Sequence, residues 1–152
     1  MFDAYFLAKM LHLTAMALML GGTVINGLLH AQARRSHPAA AAALLTAVMR
    51  VNHLTMAPSL IALPLTGAWL AYLAGHGATE LWIIIGTIFS ALLILAYSLG
   101  IRIEASLLSI AQDTKATTLT PRYAIQFRRA APIGSGALLL SIAAVAVMIL
   151  KP

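Results

Sequence analysis

The sequence predicts an all-α integral membrane protein, a bundle of four spanning helices with both termini on the outside. Three observations predict it. The 152 residues are 61% hydrophobic and only 9% charged, with a mean hydropathy of +0.92. A soluble domain is about 45–50% apolar and about 25% charged, so this chain has too few charges to coat a water-facing surface. The apolar residues fall into four segments, each near the length of about 20 residues that crosses one bilayer, so residues 1–152 read as one transmembrane domain with nothing left for an aqueous one. Eight of the ten basic residues sit in or beside two of the three links, which under the positive-inside bias places those links in the cytoplasm and both termini out.

The first span covers about residues 4–29. Its length, and an aspartate (Asp3) where a basic cluster would stand, make a cleavable signal peptide a poor reading. The second apolar segment runs from Pro38 to Ala74, about 55 Å of helix at about 1.5 Å per residue, against a hydrocarbon core of about 30 Å. Residues 38–50 are therefore expected outside the core, with Pro38 in the first helical turn, and residues 51–74 inside it. Pro58 and Pro64 cannot bond the carbonyls of Leu54 and Leu60, so this long helix is expected to kink. Gly75, His76 and Gly77 form a tight turn into the third span, 81–101, whose helix continues as an amphipathic extension over Ile103–Ile110. The fourth span is 132–150, where Gly134, Gly136, Ala137, Ser141 and Ala144 suit close helix packing.

The basic residues are Arg34, Arg35 and Arg50 around the first link, and Arg102, Lys115, Arg122, Arg128 and Arg129 around the third; Lys9 and Lys151 stand at the opposite side. They account for the net charge of +6. Arg34, Arg35, Arg50, Arg128 and Arg129 are expected to contact anionic headgroups, at about 1 kcal/mol per basic residue near the surface. No aromatic residues interleave with them, and they flank membrane spans, so nucleic acid is excluded as a partner. The expected setting is the bacterial inner membrane, with the lipid bilayer, and a membrane protein or a second copy, as partners.

Chemistry concentrates in helix one. At about 100° per residue, Tyr5, Lys9, His12, Met16, Met19, Thr23, Asn26 and His30 share a face about 60° either side of His12. Such a stripe must face the bundle interior, because lipid offers polar groups no partner. The stripe is either interhelical hydrogen bonding and ordinary methionine packing or a functional site. An imidazole at His12 can bind haem iron, copper or zinc, or relay protons. Lys9 lies one turn nearer the surface, where it could pair with a propionate or a headgroup. His12, Met16 and Met19 form a soft set for Cu(I). His53, with Met49, Arg50 and Met56 near it, is the other membrane histidine. Straight helices put His12 and His53 about 20 Å apart in depth, whereas His30 matches the depth of His53. Gly67 allows a neighbour or flat ring to approach. Thr87, Ser90 and Tyr97 can bond across helices, and Arg102 and Glu104 are expected to anchor the end of span three. No acidic residue is expected inside a span, which disfavours a carboxylate-based proton pump. The absence of cysteine excludes disulfides, thiolate metal sites and covalently attached haem. No catalytic residue is assigned.

Four stretches carry a likeness to known proteins. AYFLAKMLHLTAMALMLGG, APSLIALPLTGAWLAYLAG, PRYAIQFRRAAPIG and the closing MILKP resemble an uncharacterised bacterial integral-membrane family, over nearly the whole chain. Lys9-x-x-His12, the Thr66–Leu70 stretch TGAWL and Lys151-Pro152 also resemble HemJ-type protoporphyrinogen oxidases and, more distantly, CopD-type copper-resistance proteins. The HemJ-type likeness implies a four-helix haem b protein and a redox role for His12 and Lys9. The third helix, LWIIIGTIFSALLILAYSLG, lacks the charged and histidine positions of that type. The expected function is a haem b-binding redox or electron-transfer protein with His12, His53, Lys9 and Met16 as binding candidates, the two histidines on iron. The alternatives are an accessory subunit with no cofactor and a copper-handling protein.

Overall fold

The computed structural model describes residues 3–113 and 118–150; Lys115, Lys151 and Pro152 lie outside the described residues. Helix one, Ala4–Ala33, begins where the Asp3 carboxylate accepts from the Tyr5 N–H at 3.4 Å. Such a cap satisfies one of the orphan donors of the first turn. Helix two is a single 36-residue element, Pro38–Leu73, with Pro38 in its first turn. It ends at Gly75, whose φ of 74° is the left-handed conformation that glycine adopts without penalty. Helix three is Leu81–Ala111 and helix four Pro121–Leu150.

The expected kink at Pro58 takes a specific form. Residues Asn52–Met56 make a π turn, a widening by one residue that is uncommon and concentrates at functional positions. The Ala57 N–H reaches back to the Asn52 carbonyl, and α-helix restarts so that Pro58 stands in a first turn, where a missing N–H costs nothing. Pro64 is carried inside the restarted helix.

Helix four corrects the sequence reading. It starts at Pro121, not Pro132, and Pro132 lies within it. At about 1.5 Å per residue, helices of 31 and 30 residues are about 45 Å long and outrun the hydrocarbon. What holds the overhang is a small core of its own. Ala33, Ala41, Leu45, Leu107, Ala111 and Tyr123, drawn from all four helices, are buried together at the basic end. The segment PRYAIQF is therefore helical because Tyr123 and Phe127 have something to pack against. Arg34, Arg35, Arg50, Arg128 and Arg129 point out from this end and are exposed.

Four spans bring residues 3 and 150 to one end, opposite the basic links. The helices neighbour one another in chain order: one on two, two on three, three on four, with one against four the thinnest seam. The outer surface is apolar, with Leu28, Leu54, Ile61, Leu65 and Tyr72 all more than 60% exposed, as a lipid-facing surface requires. At mid-depth Met19, Leu60 and Leu93 form a second buried cluster. Helix one meets the π turn at Gly22, where a Cβ would fall 2.8 Å from Met56 Cγ.

Gly22→Ala is therefore expected to destabilise the protein by about 1–3 kcal/mol through overpacking. Gly21→Ala, whose Cβ meets nothing within 4 Å, is expected to be neutral or stabilising by up to about 1 kcal/mol. Thermal unfolding of both variants in detergent checks the contrast.

Candidate functional site

The stripe on helix one lines two cavities stacked along the bundle axis, each of about 450 Å³. Tyr5, Lys9, His12 and Met16 line the one nearer the termini. Thr23, Asn26 and His30 line the one nearer the basic end. Met19, Leu93 and Ser141 line both and form the partition.

In the terminal cavity, His12 Nδ1 lies 2.9 Å from Thr66 Oγ1. The Thr66 hydroxyl lies 2.6 Å from the Ala62 carbonyl and 3.3 Å from the Leu63 carbonyl; with its proton on either of these it accepts from His12 Nδ1, the tautomer that places the ring's lone pair on Nε2. Gly67 makes room for the ring: a Cβ there would lie 3.3 Å from His12 Cε1. Lys9, exposed, stands one turn closer to the termini on the same wall. The turn between helices two and three closes this end. Glu80 accepts from Trp82 Nε1 at 2.7 Å, from the Gly77 N–H at 3.0 Å and from His76 Nδ1 at 2.9 Å, and His76 meets Trp82 edge to face at 5.1 Å. The Trp82 indole bond, then those of His76 and Gly77, hold the Glu80 carboxyl below the usual carboxylate range despite some opposing desolvation.

The basic-end cavity is built on a polar chain across three helices. Asn26 Nδ2 donates to Asn52 Oδ1 at 2.7 Å. Asn52 Nδ2 donates to Glu104 Oε2, and His30 Nε2 lies 3.0 Å from Glu104 Oε1. Tyr97 donates to the Asn52 carbonyl at 3.3 Å, the same carbonyl that the π turn uses. Phe127 lies edge-on to His30, with Arg34 5.3 Å above its ring.

These placements sort the expected residues. His12, Lys9 and Met16 share one cavity. His53 does not join them: it is exposed on the outer surface and lines neither cavity. The reason is phase. Ala41, Leu45, Val48 and Asn52 are the buried face of helix two, and His53 stands about 100° round from Asn52. Thr87 and Ser90 bond carbonyls of their own helix rather than crossing. Gly134 and Gly136 are exposed, and a Cβ on either meets nothing within 4 Å, so neither serves close packing. Glu104 is no interfacial anchor: it faces inward, its side chain 15% exposed. Glu104, read from the sequence as an anchor, and Asn52, which the sequence reading did not single out, are thus the inward polar residues it missed. Their signal was the step pattern, since Leu93, Tyr97, Gly100, Glu104, Leu107 and Ala111 climb one face of helix three by fours and threes.

Fold and cavities together define a multi-pass membrane bundle with a divided polar interior. The chain belongs to the family described as predicted integral membrane protein (DUF2269), whose profile matches residues 6–152. No curated protein and no solved structure matches it, so the likeness to HemJ-type and CopD-type proteins rests on the short motifs alone.

Two outcomes follow from these contacts. Asn52→Leu strands donors and acceptors on Asn26 and Glu104 and is expected to cost about 1–3 kcal/mol per buried polar group left unmatched. The adjacent His53→Leu, on the exposed face, is expected to stay within about 0.5 kcal/mol; unfolding in detergent compares them. The folded-state value of Glu80 is lowered, so its stabilisation of the turn is complete above the ordinary carboxylate range and is lost as the pH falls through the lowered folded value. The indole N–H resonance of Trp82 should move in that acidic window, and Glu80→Gln should abolish the movement.

Proposed function

We propose that this protein is a membrane haem b protein with a redox or electron-transfer role, set in the bacterial inner membrane, and that His12 is an axial ligand. The observation that carries the reading is the His12–Thr66 bond at 2.9 Å. A metal-ligating histidine almost always donates its other ring N–H to an oxygen that fixes its tautomer and orientation, and here that donation leaves Nε2 as a free ligand atom.

The donor set suits haem better than a bare ion. Among the described residues, no three His, Cys, Asp or Glu side chains gather as a metal group, and Met19 is committed to the partition. Haem brings four nitrogens of its own and asks the protein for one or two axial groups. The terminal cavity is of the size typical of small-molecule sites and is walled by Leu63, Ala68, Ala71 and Val145. Gly67 leaves the space beside the imidazole that a side chain would fill. Lys9 would hold a propionate at the polar end, and Met16, one turn deeper on the same wall, borders the cavity without a partner role of its own. When bound, haem would supply one-electron exchange; the chain's residues hold it, orient His12 and keep water from the cavity.

Protein purified with haem supplied during expression is expected to show a b-type spectrum reducible by dithionite. His12→Ala should abolish it, and His53→Ala should leave it intact. Thr66→Val should weaken haem retention by about 10–100-fold, the usual cost of losing an outer-shell partner. A colourless wild-type protein, or a spectrum indifferent to His12, would overturn the reading.

A further inference from the structure

We propose that the seam between helices one and four seats one anionic phospholipid, with its phosphate on Arg34 and Arg128 and an acyl chain in the basic-end cavity. This goes beyond the haem reading and does not rest on it, because the cavity lies on the other side of the Met19 partition.

All seven arginines of the chain are exposed, and all stand at the basic end. An arginine is always charged, and its planar fork matches the oxygens of a phosphate. The chain itself does little to neutralise them. Glu104 is turned inward and held by His30 and Asn52, and neither Arg34 nor Arg128 has a carboxylate partner among the described residues. Position singles out these two. The cavity opens sideways to lipid between Gly27 and Leu28 on helix one and Ala131 and Ser135 on helix four, all of them cavity-lining and exposed. These residues flank the thinnest seam of the bundle. Arg34 comes seven residues after Gly27, and Arg128 seven residues before Ser135. Seven residues make two turns, so each arginine stands over its own edge of the mouth, about 10 Å toward the basic end. The Arg34 guanidinium lies 5.3 Å above the Phe127 ring, and Phe127 lines the cavity. That contact holds the charge at the head of the opening.

The cavity below these arginines measures about 450 Å³ and is walled mainly by apolar side chains, with bare backbone at Gly27, Gly100 and Gly134. What fills it from the bilayer must be apolar at that depth, since charge is costly in hydrocarbon. What meets Arg34 and Arg128 must be anionic. A phospholipid with a net negative headgroup has both properties, in that order along its length. Basic pockets between spanning helices at headgroup depth recognise such lipids. A zwitterionic phospholipid offers the same chains and phosphate but brings its own cation toward the arginines, so the site discriminates between the two.

The experiment titrates the purified full-length protein in a non-ionic detergent with dioleoylphosphatidylglycerol, dioleoylphosphatidylcholine and glycerol phosphate, reading Tm. The expected result is a saturable rise with the phosphatidylglycerol, binding of the phosphatidylcholine about tenfold weaker, and no response to the tailless glycerol phosphate. The double variant Arg34→Gln/Arg128→Gln should fold and bind the phosphatidylglycerol about tenfold more weakly. Arg102→Gln/Arg122→Gln removes as much charge, but Arg102 lines neither cavity and Arg122 stands about 140° round helix four from Phe127; this variant should keep the affinity. Gly27→Leu/Gly134→Leu, which places side chains into open space at the cavity mouth, should fold and lose the response to both lipids. No saturable shift in the wild type, an equal response to phosphatidylcholine or to glycerol phosphate, or equal losses in the two arginine pairs would overturn the proposal. So would a full response in the mouth-filling variant. The haem spectrum read on the same sample fails or succeeds separately.

Discussion

The structure depends on one constraint: hydrocarbon gives polar atoms no partner, so the polar side chains that helix one turns inward must be answered from within the bundle. His12 is answered by Thr66 of helix two, Asn26 by Asn52 of the same helix, and His30 by Glu104 of helix three. Thr23 turns to its own backbone at Met19. These bonds set the register of the bundle. Fourteen residues separate His12 from Asn26 on helix one, and fourteen separate Asn52 from Thr66 running the other way on helix two. The close approach of Gly22 and Met56 falls in that same antiparallel register. Apolar packing in lipid is nearly indifferent to sliding, because lipid tails are as apolar as leucine; polar pairs are not.

Holding that register demands adjustments in the backbone. Pro58 would orphan a carbonyl in a plain α-helix, and the π turn before it redistributes the bonds instead. The widened turn presents the Asn52 carbonyl to both the Ala57 N–H and the Tyr97 hydroxyl, which ties helix three to the same point. Two glycines mark the two ends of the contact between helices one and two. Gly22 admits Met56 beside the π turn, and Gly67 admits the His12 ring. The remaining open glycines of helix four face lipid or cavity and leave the seam to helix one slack.

The four spans, the turn at Gly75 and the inward stripe of helix one were legible in the sequence because hydropathy and the 3.6-residue period report them directly. So was the fit of Gly67 to a ring. The limits of helix four were not, because Pro132 reads as a start in isolation and only the packing of Tyr123 at the basic end shows why helix precedes it. Glu104 and Asn52 were missed for a related reason. A carboxylate next to an arginine at the end of an apolar run looks like an interfacial anchor, and an asparagine beside a histidine loses attention to it. What decides between Asn52 and His53 is which one continues the Ala41–Leu45–Val48 face, and that phase is readable once helix two is known to begin at Pro38.

The partition at Met19 bears on what the two halves can exchange. His12 and Lys9 lie on one side, and the His30–Glu104 pair on the other. Met19, Leu60 and Leu93 fill the layer between them. Ser141 is its polar member, and its hydroxyl is committed to the Ala137 carbonyl at 2.7 Å. Among the described residues, no chain of ionisable side chains crosses that layer. A proton relayed by side chains would need an acceptor within hydrogen-bonding reach at every step, and here the steps stop at Met19. The layer therefore keeps the His12–Thr66 pair and the His30–Glu104 pair apart as two separate polar groups, each answered on its own side of the bundle.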